Sequence, residues 1–396
     1  MTLDPDAPPR PVAPATDPLD VVALASRLIG IDSVNPDLVP GGAGEAAIAD
    51  FCADWLSARG FEVTRLERQP GRPSILATVR GTGGGSSLML NGHLDTVGVE
   101  GYAGDPFGGS VVDDELQGRG AFDMKGGLAA MLVAAARATA GTALRGDVHL
   151  ALVADEEFGS AGTVEVLERV TPDAAVVCEP SGLELTLAHR GFAWFDVAFI
   201  GRAAHGSMPA DGVDAIEHAG RLLVALRELA GRLESAEPHP ILGHGSVRVS
   251  SIHGGADAAT VAASCRLTIE RRMLPGETPD DVEAELRGML TTLTEEDPQV
   301  DVRLSRMVAR GAFETPPDAP LVRTILAATE SVLGQPATTR GEPFWTDAGL
   351  FADAGIPCLL LGVDGGGAHA ATEWATVASI RSLADILEAT LGEWCA

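Results

Sequence analysis

Two short stretches carry the residue types of a metal site. Asn91-Gly92-His93-Leu94-Asp95-Thr96 sets an imidazole and a carboxylate two residues apart after the apolar run Leu88-Met89-Leu90. Ala154-Asp155-Glu156-Glu157-Phe158-Gly159 sets adjacent carboxylates after Leu150-Ala151-Leu152-Val153. Zinc accepts this mixture of imidazole nitrogen and carboxylate oxygen. Ligands of open α/β sheets gather beyond the carboxyl ends of the strands, so both stretches are expected at one sheet edge. Three more residues qualify by type and place: Asp123 at the opening of an Ala-rich helix, Glu179 after the run Ala174–Cys178, and His369 beyond Pro357–Leu361 and a glycine-rich turn.

Each has an ordinary alternative. Asp123 would serve as a helix N-cap, the acidic run as a solvated turn, and a lone histidine after a strand as a surface or core residue. Convergence of five such residues, from five segments of one sheet, is the specific signal. His93, Asp123, Glu157, Glu179 and His369 exceed the three protein ligands of an ordinary catalytic zinc. That surplus points to two ions about 3.5–4 Å apart with Asp123 between them. Asp95, on the same face of an extended segment as His93, is expected to hydrogen-bond and orient that imidazole. Glu156, adjacent to a ligand but pointing elsewhere, is the natural general base for a bridging water.

Positioning these groups requires a sheet. Strands are predicted at Ile75–Val79, Ser87–Leu90, Val148–Val153, Ala174–Cys178 and Cys358–Leu361, alternating with helices at Gly126–Thr139, Gly162–Val170 and Pro320–Leu333. That alternation gives an α/β fold with a mostly parallel sheet. Helical periodicity also covers the segment from about Leu19 to Arg59. Between about His189 and Ser305 the pattern changes to strand Gly191–Ile200, helix Val213–Leu233, strands Ser246–His253 and Ala263–Arg272, helix Thr278–Thr294 and strand Gln299–Leu304. This β-α-β-β-α-β order is ferredoxin-like. The expected organisation is therefore a flexible Pro-rich tail at 1–18, a catalytic metal-binding domain from 19–188 and 306–396, and an inserted lid at 189–305.

The chain has 396 residues, enough for two domains, and its formal charge of -28 argues against nucleic acid or an anionic membrane as partner. Most of that surplus must be solvated surface. Five cysteines, widely spaced and without a CxxC pair, suggest buried thiols in a reducing cytoplasm rather than disulfides. The first eighteen residues hold six prolines and no basic start or apolar core, so a signal peptide is not expected. No run approaches the roughly 18 apolar residues that cross a bilayer.

At these residues the chain resembles the co-catalytic zinc peptidase and deacylase family of acetylornithine deacetylase, succinyl-diaminopimelate desuccinylase, aminoacylase and the glutamate carboxypeptidases. The likeness runs from about Asp20 to the C-terminus. It rests on Gly92–Val97, Gly118–Gly127, Asp155-Glu156-Glu157 with Gly159, Cys178-Glu179-Pro180, Gly201–Ser207 with Pro209, Glu270–Glu277 and Gly367-Ala368-His369. The resemblance implies that His93 and Glu179 hold one zinc, Glu157 and His369 the other, that Asp123 bridges them and that Glu156 is the base. It further implies an oxyanion-stabilising role for His205 at a partner subunit's site, a substrate-carboxylate grip for Arg272, a homodimer formed through the lid, and a cis peptide after Asp123. Two departures stand out. The turn Gly254–Thr260 offers Ala259 or Thr260 where many members have a substrate-contacting Asn, and Glu270 stands where many have Asp.

Together these readings describe a di-zinc hydrolase, in which cobalt or manganese are possible substitutes, acting on the amide bond of a small N-acyl amino acid. A carboxypeptidase or dipeptidase is the alternative on the same fold, and a non-catalytic metal-binding scaffold the remote one. Phe344, Trp345, Thr346 and Asp347 are candidates for the acyl or side-chain pocket.

Overall fold

The computed structural model describes residues 19–141 and 143–396; the expected tail at 1–18 lies outside them. Contacts divide the chain into two units, one holding the chain up to Leu187 with Thr315–Arg340 and Thr346–Ala396, the other Ala188–Glu314 with Gly341–Trp345.

The first unit is built on a sheet whose strands run in the order Glu62–Leu66, Ser74–Val79, Val148–Val153, Leu88–His93, Ala174–Val177, Cys358–Leu360 and Leu185–His189. The middle four are parallel and the flanking strands antiparallel. Every residue of Leu88–His93, Val148–Val153 and Ala174–Val177 is buried, as continuous apolar runs in a sheet covered on both faces should be. Strand Leu88–His93 runs past the expected Leu90 end to include His93. Gly92 allows this: a Cβ there would lie 2.8 Å from Met124 Cε and 3.1 Å from Met131 Sδ. Helix Gly126–Ala140 is buried along its length to Ala136 and packs against Val377–Trp394 and Val21–Ile29. Strands Glu62–Leu66 and Leu185–His189 were not expected. The first is a largely exposed edge strand with charged residues, and so lacks an apolar run.

In the second unit, strands Ser246–Gly254, Ser264–Met273, Gly191–Ile200 and Asp301–Arg310 form an antiparallel sheet in that order. With helices Ala215–Ser235 and Pro279–Glu296 this is the ferredoxin-like arrangement. Ala193, Phe195, Val197 and Phe199 alternate inward and pack with Leu222, Leu226, Leu286 and Leu290 of the two helices. The last strand extends to Arg310, beyond the expected Leu304; its arginines and a register shift between Arg306 and Val308 break the apolar pattern.

Among the described residues no helix is long and apolar enough to cross a membrane. All five cysteines are free and buried.

Candidate metal centre

Three adjacent parallel strands deliver the site. In register, His93 lies beside Val153 and Asn91 beside Val177, so His93, the Asp155-Glu156-Glu157 turn and Glu179 leave the sheet at the same edge. Asp123 comes from the irregular turn Ala121–Lys125, where its φ of -120° and ψ of 94° are not helical. It does not cap the following helix, whose N-cap is Lys125. The Asp123–Met124 peptide is cis. His369 arrives from the far loop with φ of 60°.

The five candidate ligands form two groups that share one carboxylate. His93 Nε2 lies 3.1 Å from Asp123 Oδ1 and 3.7 Å from Glu179 Oε1. His369 Nε2 lies 3.5 Å from Asp123 Oδ2 and 3.0 Å from Glu157 Oε2. Within each group one donor atom per residue fits inside 4.8 Å, a spacing that could hold a metal ion. The two oxygens of Asp123 are thus divided between the groups. The His93 group is interior, whereas the His369 side chain is 55% exposed, so the second group is the one a solute meets.

Asp95 is placed differently from expectation. His93 Nδ1 is 2.9 Å from the Asp95 main-chain carbonyl, while the nearest Asp95 carboxylate oxygen is 3.8 Å away. That carboxylate instead accepts the N–H groups of Glu156 (3.1 Å) and Glu157 (3.2 Å) and the Asn35 amide (2.8 Å). It is committed to the acidic turn, which leaves the imidazole to the carbonyl.

Burial drives the carboxyl of Glu156 well above the usual range, and repulsion from Glu179 and Asp347 adds to it. Burial likewise raises Glu157 and Glu179. For His93 burial opposes protonation, but Glu179 and Asp123 overcome it and hold the imidazolium well above its ordinary value. Hydrogen bonds to Asp123 and Glu157 carry His369 up to about 10. A divalent cation would replace these protons as the positive charge the carboxylates need. The buried Oε1 of Glu157, which has no hydrogen-bond partner, fits that donor set.

Residues 89–393 match peptidase family M20/M25/M40. The chain belongs to this family. It is 28% identical to an N-formyl-4-amino-5-aminomethyl-2-methylpyrimidine deformylase of Bacillus subtilis (strain 168), over 95% of each chain. It is 29% identical to an acetylornithine deacetylase of Proteus mirabilis (strain HI4320), covering 94% of this chain and 96% of the relative. Among solved structures it resembles aminopeptidase PepT of Bacillus cereus ATCC 10987, with TM-score 0.78 at 20% identity over 96% and 99% of the two chains. It also resembles an M20 family metallo-carboxypeptidase of Sulfolobus solfataricus, with TM-score 0.77 at 16% identity over 95% and 99%. This M20 chain is a metal-dependent amide hydrolase.

His205 and Arg272 belong to the second unit. His205 is exposed; its Nδ1 accepts the Ser207 N–H at 3.2 Å and contacts the Ser207 hydroxyl at 2.8 Å, which leaves Nε2 as the donor. Arg272 Nε donates to Glu270 at 3.0 Å, a carboxylate also held by Arg248 and by the Trp194 indole. In the Gly254–Thr260 turn, the Thr260 hydroxyl is engaged by Asp257 at 3.1 Å. Within the Phe344–Asp347 stretch, Phe344 is exposed, Trp345 donates to the Gly311 carbonyl, and Asp347 is fully buried on the Thr163 hydroxyl.

Sequence reasoning missed the residues that brace the centre. Arg72 binds both oxygens of Glu45 (2.6 and 2.7 Å) and Asp155 (3.1 Å) behind the acidic turn. Arg119 and Glu373 join the Asp123 turn to the His369 loop. Their only signal was that buried arginines and glutamates demand partners.

Proposed function

We propose that this M20 enzyme uses two zinc ions to hydrolyse the amide bond of a small N-acyl amino acid. The observation that carries the reading is the division of the Asp123 oxygens between two histidine–carboxylate groups, with a half-buried spare carboxylate, Glu156, one residue from Glu157. His93 and Glu179 would hold one ion, Glu157 and His369 the other, and Asp123 both. When bound, such a pair polarises the scissile carbonyl and brings a water near deprotonation at neutral pH. Glu156 accepts that water's proton and passes it to the leaving nitrogen. The Asp95 carbonyl keeps the His93 proton on Nδ1 and its lone pair on Nε2.

His205 donates its Nε2–H to the developing oxyanion in a partner subunit's site, and Arg272 grips the substrate carboxylate through a guanidinium edge not used by Glu270. The inserted unit is then the lid and the homodimer contact. The five buried thiols favour a cytoplasmic setting. The acyl-group preference rests on the deformylase and deacetylase names of the curated relatives. The peptidases among the solved structures are under 25% identical and share the fold; a carboxypeptidase or dipeptidase is the second reading.

The test is turnover of formyl-, acetyl- and succinyl-amino acids beside dipeptides, for the wild type and Glu156→Gln with metal content measured in both. Expected are cleavage of an acylated amino acid, abolition by a chelator, and a loss of about 10²–10⁴-fold in Glu156→Gln at unchanged metal content. Turnover of dipeptides alone would reject the deacylase reading.

A further inference from the structure

Asp123 and His369 both sit on backbone that no regular element supports, yet a single buried pair reaches both. Glu373 follows His369 by four positions and is 2% exposed. Its Oε1 accepts the main-chain N–H groups of Phe122 (3.0 Å) and Asp123 (2.9 Å), and its Oε2 receives Arg119 Nη1 at 2.7 Å. Arg119, itself 3% exposed, turns its Nη2 to the carbonyl of Ala370, next to His369, at 2.8 Å. Tyr102 fixes the backbone behind the carboxylate. Its hydroxyl accepts the Glu373 N–H at 3.2 Å and donates to the Glu373 carbonyl at 3.3 Å. All of these residues belong to the first unit.

We propose that Arg119 and Glu373 are positioning residues that clamp the Asp123 turn to the His369 loop, and so set the spacing of the more open of the two ligand groups. The clamp touches neither substrate nor the reacting atoms; it acts on backbone. Asp123 turns out of the helical path at the N–H that Glu373 accepts, and Phe122 and Asp123 would otherwise present two partly buried donors without acceptors. Arg119 carries the constraint across to the carbonyl that follows His369. Loss of the clamp separates Asp123 Oδ2 from His369 Nε2 while leaving His93 and Glu179, which leave the sheet directly, in place. The inference rests on the two-ion reading above.

The test measures the affinities of purified protein for Zn²⁺ by competition with a chromophoric chelator, for wild type, Glu373→Ala and Glu373→Gln, alongside turnover at rising Zn²⁺. Wild type is expected to load two ions. Glu373→Ala should lose about 10–100-fold in affinity for one of the two, the range typical when a ligand's support is removed. The other affinity, whose group shares Asp123 but keeps His93 and Glu179 on the sheet, should fall less, with kcat lowered more than KM and turnover recovering as Zn²⁺ is added. Glu373→Gln keeps an oxygen for the two N–H groups but gives up the ion pair with Arg119, so its loss should be smaller. If Glu373→Ala does not fold, the Gln variant carries the measurement. Two unchanged affinities in the folded variants overturn the clamp, as does a uniform loss that added Zn²⁺ does not rescue. A wild type that loads no ions overturns the metal-centre reading itself, and shows it before any variant is compared.

Discussion

His93 gives its Nδ1 hydrogen to the main-chain carbonyl of Asp95, 2.9 Å away, while the side chain of the same Asp95 holds the N–H groups of Glu156 and Glu157. One residue therefore serves two elements of the centre by different atoms. The carbonyl takes the Nδ1 hydrogen and so directs Nε2 toward Asp123 and Glu179. The carboxylate fixes the turn that carries Glu156, the proposed base, and Glu157 of the other candidate group.

This separation of labour makes Asp95 testable. Asp95→Ala keeps the carbonyl and removes both turn acceptors. It should cost about 10–100-fold in kcat/KM together with the affinity of one ion, the cost usual for a ligand's supporting group. Asp95→Asn retains one accepting oxygen and should lose less. Kinetics and metal content measured side by side decide it: an Ala variant equal to wild type in both would show that the turn holds itself.

Gly127 sits where the helix after Asp123 meets the strand end before Glu179. A Cβ there would lie 2.3 Å from the Cys178 carbonyl oxygen. Gly127→Ala must push the helix or the Glu179 segment aside, and overpacking of this kind costs about 1–3 kcal/mol. Gly220, within helix Ala215–Ser235, has nothing within 4 Å of the same position. Gly220→Ala should therefore stabilise by about 0.5–1 kcal/mol. Urea denaturation of the two variants should give shifts of opposite sign, and a matching sign would remove the packing argument.

What the sequence made legible was governed by short-range pattern. The buried parallel strands announced themselves as apolar runs, and the groups that end them, His93, Glu157 and Glu179, could be read from position alone. The ferredoxin-like unit was equally plain from its alternating strands and amphipathic helices. The support was not legible, because it is made by pairs far apart in the chain: Arg72 with Glu45 and Asp155, Arg119 with Glu373. No local spacing links such residues. Asp95 misled for a related reason, since which of its atoms meets His93 depends on a turn 60 residues on. The edge strand Glu62–Leu66 escaped because one exposed face needs no apolar run.

Glu270 makes acid stability diagnostic. Burial alone would raise its carboxyl, but hydrogen bonds from Arg248, Arg272 and Trp194 win and hold it down at about 2, against an ordinary 4.5. A carboxylate with a depressed folded pKa adds stability above its unfolded value, and that stability is lost as pH falls toward the folded one. The gap in denaturation midpoint between wild type and Glu270→Gln should thus be widest above pH 4.5 and narrow as pH drops toward 2. A gap independent of pH over that window would mean that the charge on Glu270 contributes nothing.

Among the described residues, Arg72 is the sole cation paired with Glu45 and Asp155 at the buried junction behind the Asp155-Glu156-Glu157 turn, and its side chain is 5% exposed. Arg72→Ala strands two buried carboxylates, and breaking such a pair costs about 3–5 kcal/mol. Burial already raises Glu45 and Asp155 despite Arg72, so its loss lifts them further above their unfolded values. A raised folded pKa contributes stability at low pH that disappears as pH rises, and the deficit of Arg72→Ala should accordingly be larger at pH 8 than at pH 5. Arg72→Met combined with Glu45→Leu, which removes the stranded charge as well, should recover part of it. The decisive measurement is urea unfolding at both pH values: a single variant within about 0.5 kcal/mol of wild type, the range of ordinary surface changes, would mean that the turn does not depend on this ion network.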